Sequence, residues 1–187
     1  MVAPSETPPT QDPQDWKTSF QVLYSGAVEQ FQKGVRGPEG VFSEQDATLL
    51  ANLGANPQEI YDFVEDWVED GEPDLETVLA ITEVRRDFFL KEQDGQRSSS
   101  PKPFASFPPR NASLGGFTWL PRIIAKAEAK LRGELPQDLM YGCGADRPFL
   151  RGITFHPAEF LQLVWEAHGQ EDRILAAIQQ RNYSSSQ

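Results

Sequence analysis

Ile60, Phe63, Val64, Trp67 and Val68 recur at i, i+3, i+4, i+7 and i+8, the spacing that lines apolar side chains along one helix face. The stripe carries its own start and stop signals. Asn56-Pro57-Gln58-Glu59 puts a capping side chain ahead of a proline in the first turn. Gly71 supplies the residue that ends a helix in left-handed backbone. A segment punctuated this way has little choice but to be helical. Trp67, at the centre of the stripe, is expected to be a core anchor whose loss would cost about 3–5 kcal/mol.

The same signals recur along the chain. Trp16, Phe20, Leu23, Ala27 and Phe31 form a first helical face behind Asp12-Pro13-Gln14-Asp15, and Gly34 with the Gly37–Gly40 cluster ends it. Ser43-Glu44-Gln45-Asp46 resembles a capping box ahead of a short helix that stops at Gly54. Asp74 caps a fourth helix, apolar around most of its circumference and therefore central. Further on, Arg122–Arg132, the segment opened by His156-Pro157-Ala158-Glu159, and Glu171–Arg181 read as helices. His168, beside Gly169, reads as a C-terminal capping residue. Residues 135–152 read as an ordered loop with a helical turn at Pro148–Arg151. No run alternates over strand length, so a sheet is not expected.

Composition divides the chain. Gly95–Arg110 holds four serines and four prolines and cannot continue a helix. Before it, residues 1–97 carry 7 Lys and Arg against 20 Asp and Glu; residues 98–187 carry 10 against 8. The expected architecture is all-α, two small helical bundles joined by a Pro/Ser-rich linker. Residues 1–12 are predicted as a disordered tail, 13–95 as an acidic four-helix module, 96–111 as the linker and 112–183 as a second helical domain. Ser184–Gln187 is expected to fray. Phe104 and Phe107 are expected to pin the linker to one of the modules.

Charge and length exclude whole classes of function. A net charge of -11 over 187 residues disfavours nucleic acid and anionic lipid as partners. No stretch approaches the ~20 apolar residues of a membrane span. The first residues lack the basic and apolar regions of a signal peptide, so a cytoplasmic location is expected. With one cysteine and two histidines, neither a metal site nor a cofactor is expected.

Leu114-Gly-Gly-Phe-Thr-Trp-Leu-Pro-Arg-Ile-Ile-Ala-Lys-Ala127, then Gly133-Glu-Leu-Pro136, then Tyr141-Gly-Cys-Gly-Ala-Asp-Arg-Pro-Phe-Leu150 resembles the bacterial domain-of-unknown-function family numbered 5069, over residues about 112–180. Ala125 departs from the polar or acidic residue, and Glu128 from the basic residue, that the resemblance implies at those positions. The family brings no activity with it.

Two function classes follow from the residues. In the first, Asp62, Glu65, Asp66, Glu69 and Asp70 form an acidic helical face that binds another protein. Its like-charge pairs at i, i+4 each cost roughly 0.2–0.5 kcal/mol. A calcium loop at Asp66–Thr77 fails, because Val68 takes a ligand position and Thr77 replaces the bidentate glutamate. In the second, Gly115 and Gly116 bring backbone N–H groups to an anion. Arg122 and Lys126 on the following helix, with Tyr141 and Arg147 of the glycine-rich loop, complete its pocket. Lys130 extends the basic stripe. Cys143 and His156 are a nucleophile–base pair only if they meet in space, and enzymatic activity is left open. The acidic and basic faces are expected not to pair within one chain. For Arg85-Arg86 the sequence allows two outcomes: both exposed, or Arg85 inward with a carboxylate partner.

Overall fold

The computed structural model describes residues 15–184. The helix-start signal at residues 12–14, the tail at 1–12 and most of the terminal serine stretch lie outside the described residues. The fold is all-α apart from one small hairpin: α1 (Asp15–Gln32), α2 (Pro38–Val41), α3 (Glu44–Asn52), α4 (Pro57–Asp70), α5 (Leu75–Lys91), β1 (Ser113–Leu114), β2 (Phe117–Thr118), α6 (Leu120–Arg132), α7 (Asp146–Gly152), α8 (Pro157–Ala167) and α9 (Glu171–Ser184).

The helix starts follow the caps legible in the sequence. Ser43 and Asp46 close a capping box on α3, as do Asn56 and Glu59 on α4. Asp74 accepts the Thr77 N–H at the start of α5, and Gly71 ends α4 with φ 76°. His168 ends α8 in left-handed backbone at φ 49°. Two elements depart from expectation. The Gly37–Gly40 cluster contains the one-turn helix α2, with Pro38 in its first turn. Leu114 and Phe117 pair across Gly115 and Gly116, so a minimal sheet exists where none was expected. Those glycines have φ 57° and 87°, the positive values that a two-residue hairpin turn requires.

α5 lies at the centre, packing against α1, α6 and α8. One apolar cluster runs from Trp16 on α1 to Ile178 on α9. The segment 96–111 is held at several points. Lys102 N–H donates to Glu134 O (2.8 Å), Arg97 to Ala55 O (2.8 Å), and Phe107 is buried. Phe104 is exposed instead, with the Arg122 guanidinium 5.4 Å from its ring centroid. Trp67 is 36% exposed and is no full core anchor: Phe63 and Val64 turn into the core while Trp67 stands at its edge.

Candidate functional site

α6 sits against both α5 and α8, and its inward side carries Leu120, Ile123, Ile124, Ala127 and Leu131. Only a narrow strip, Pro121, Ala125, Glu128 and Arg132, is less than fully buried. The cations Arg122, Lys126 and Lys130 therefore lie inside. Their aliphatic stems join the core, and their heads must find partners there.

Lys126 finds Asp146. The pair is buried, and the carboxylate is saturated. Asp146 Oδ1 accepts from Trp119 Nε1 (2.9 Å), while Oδ2 accepts from Gly142 N (2.9 Å) and from Lys126 Nζ. The Asp146 and Arg147 N–H groups close the loop by donating to Cys143 O at 2.8 and 3.0 Å. Trp119 reaches its position through a left-handed backbone, φ 81°, which costs a non-glycine residue about 1–2 kcal/mol.

The next residue points the other way. Arg147 Nη1 donates to Asp66 Oδ2 on α4 (2.6 Å) and to Gly142 O (3.1 Å). Asp70 and Glu72 lie 3.8 and 3.7 Å from its remaining nitrogens. Tyr141 is buried, and its hydroxyl donates to Pro157 O (2.7 Å). Burial, and then the Asp146 charge, hold this phenol well above its usual range, so it stays a neutral donor. The loop 141–147 is thus a clamp joining α6, α4 and α8.

Cys143 and His156, the nucleophile and base that the sequence offered, are each engaged with other groups. Cys143 is half-buried, with Lys126 Nζ 3.4 Å from its sulfur, but that ammonium is held by Asp146. His156 spends both ring nitrogens elsewhere. Nδ1 accepts the Ala158 N–H (3.3 Å) as the cap of α8, which puts the ring proton on Nε2, 3.2 Å from Thr77 Oγ1. The imidazole therefore donates to Thr77 and is no base toward it. Thr77 in turn donates to Asp74 through its side chain and amide, which holds that carboxyl below the usual range. A cleft of about 270 Å³ beside these groups is lined by both partners of the Arg151–Glu72 pair (2.8 Å) and by Arg147.

The residues expected to bind an anion are all present but scattered and occupied. Gly115 lies under Leu175, whose Cδ1 would be 2.4 Å from any added Cβ, and Gly116 is the other turn residue of the hairpin. Arg122 donates to Pro108 O (2.6 Å). Lys126, Tyr141 and Arg147 are taken up in the clamp. On the acidic side, Asp66 belongs to Arg147, and Asp62 accepts from Gln58 (2.6 Å). Glu65 is half-buried, while Glu69 and Asp70 are exposed. The two helices do exchange a charge pair, though not one between the residues named for the two faces, and Asp66 of the acidic face is not free. Lys130 of α6 pairs with Glu59 of α4 at 3.2 Å, and Arg147 reaches Asp66. Packing of α6 brings Lys130 to Glu59, whereas Asp66 is taken by Arg147 of the clamp, and burial compels each cation to pair.

Arg85 takes the inward alternative without a carboxylate in direct contact. It is 1% exposed, donates to Gln93 Oε1 (2.8 Å) and lies 5.3 Å from the Phe89 ring centroid. Burial pulls its guanidinium down to about 10, against the opposing field of Glu59. Arg85 Nε and Glu59 Oε1 are buried without a hydrogen bond.

These placements change where the charge lies. Among the described residues five cations are buried (Arg85, Arg122, Lys126, Lys130, Arg147) against two carboxylates, Glu59 and Asp146. The net charge stays -11, but the side chains other than these seven sum to -14, and those of residues 98–187 to -1 rather than +2. The half that reads as basic in sequence is not basic at its surface.

An open cleft of about 750 Å³ lies where α2 and the starts of α3 and α4 face the 133–137 loop. Sequence reasoning passed over it, as it passed over Glu59, Trp119 and Asp146 as charge and hydrogen-bond partners. Only the acid beside Arg147 in a glycine-rich loop hinted at the last.

No curated protein and no solved structure matches the chain. The model of the family described as Domain of unknown function (DUF5069) matches residues 108–187, so the part of the chain that carries α6 and the clamp loop resembles that family.

Proposed function

We propose that the chain is a protein-interaction module whose acidic surface receives a basic segment of another protein. One observation carries this reading: a chain of net -11 turns five of its cations inward, so that its exposed side chains are predominantly acidic. A surface this one-sided repels nucleic acid and anionic lipid and steers positively charged partners. The anion-binding alternative draws no such support, because each of its cations already donates to a group of the chain.

The test is binding of three labelled peptides of equal length, one basic, one neutral and one acidic, at an ionic strength of about 0.15 M. The basic peptide is expected to bind, with affinity falling as salt rises, and the other two are not. Equal behaviour of all three would refute the reading.

A further inference from the structure

We propose that the 750 Å³ cleft is the docking site for an extended basic segment of the partner, one that carries an apolar side chain between its cations. This rests on the reading above and names its site. The cleft is apolar at its base, where Phe42 and Leu135 are buried, and Pro57 and Pro101 wall it. Glu39 and Glu44 line it and are exposed, and no Lys, Arg or His is among its lining residues. An occupant must therefore bring apolar surface for the base and positive charge for the rim.

The helix starts that border the cleft would by themselves favour an anion. Here the amide of the capping residue and the third amide of the helix are met at the starts of α3 and α4. Ser43 Oγ and Asn56 Oδ1 accept the Asp46 and Glu59 N–H groups (3.2 and 2.8 Å), and the Asp46 and Glu59 carboxylates bond back to the capping residues. The same bonds make the walls rigid. The opposite wall is fixed as well, by Glu134 N–H on Ala129 O and Lys102 N–H on Glu134 O, both 2.8 Å. A site formed before its ligand arrives loses little to ordering on binding. A second copy of this chain brings net -11 to the same rim, and the segment 1–14 holds Glu6 and Asp12 but no Lys or Arg. Neither matches the charge that the cleft calls for.

The probe is a short fluorescein-labelled peptide alternating leucine and arginine, followed by anisotropy on the full chain at physiological ionic strength. Its control carries serine in place of leucine. Binding is expected to weaken at least about tenfold for the serine peptide, for Glu39→Lys with Glu44→Lys, and for Ala47→Trp, which fills the cleft (tenfold being ~1.4 kcal/mol). Glu69→Lys with Asp70→Lys, outside the lining, should change it about twofold or less. Melting temperatures verify that each variant is folded. If the two charge-reversed pairs weaken binding equally and leucine does not matter, the contact is diffuse: the cleft proposal fails while the acidic-surface reading stands. If the leucine–arginine peptide does not bind wild type, both fail. Sedimentation showing a dimer that Glu39→Lys with Glu44→Lys dissolves would assign the cleft to a second copy and overturn the proposal.

Discussion

Asp62→Asn should stabilise the protein at neutral pH and leave it unchanged in acid. Asp62 is half-buried on α4 with Glu59 and Glu65 nearby, and burial above all pushes its carboxyl from 3.8 up to about 6. The Gln58 bond and the Lys130 charge oppose this without cancelling it. Between those two values the folded chain holds a proton that the unfolded chain has released. Stability therefore falls as pH rises through the window and stays lowered above it. At about 1.4 kcal/mol per pH unit, the displacement sets a ceiling near 3 kcal/mol; partial exposure brings the expected gain to about 1–2 kcal/mol. Asparagine keeps an oxygen for Gln58 and removes the charge. For a chain of this size the gain corresponds to roughly 2–8 °C in melting temperature. Scans of both proteins should separate at pH 7 and converge near pH 4. Identical curves at pH 7, or a gap that widens in acid, would refute the reasoning.

Further perturbations separate the interactions that hold the fold. Asp146→Ala orphans the Lys126 ammonium, the Trp119 indole N–H and the Gly142 N–H, whereas Lys126→Met leaves the carboxylate two donors. Both should cost about 3–5 kcal/mol in chemical denaturation, the aspartate variant more. Gly54→Ala places a Cβ 2.6 Å from the Phe89 ring, whereas Gly34→Ala opens onto free space. Both glycines have positive φ, so each variant loses about 1–2 kcal/mol of backbone energy and only Gly54→Ala adds a clash. Trp67→Ala should cost about 1–2 kcal/mol by thermal melting, less than a buried tryptophan, because more than a third of the side chain is exposed.

Local physics made most of the helices legible. Caps at Ser43, Asn56, Asp74 and His156, and the glycine at 71, act within a few residues of themselves and so can be read from short windows. The Gly115–Gly116 hairpin escaped because its strands are two residues long, too short to show alternation. The site was harder to read, because its meaning lies in contacts distant in sequence. Arg122, Lys126 and Lys130 share a helix face, the usual pattern of a solvated stripe. What buries them is the position of α6 against α5 and α8, and what they meet is the Pro108 carbonyl for Arg122, Asp146 for Lys126 and Glu59 of α4 for Lys130. Trp67 shows the converse: a residue at perfect helical spacing sits at the edge of the stripe, where the core runs out.

The account turns on where the α6 cations are, because their burial is what leaves the surface so acidic. Brief amine acetylation of the native chain, read site by site by mass spectrometry, measures this directly. Lys33 and Lys91, whose side chains are 64% and 62% exposed, should label quickly, while Lys126 and Lys130, with side chains 1% and 3% exposed, should label only as fast as the chain unfolds. Labelling of Lys126 and Lys130 at the rate of Lys33 would place them at the surface and contradict the account.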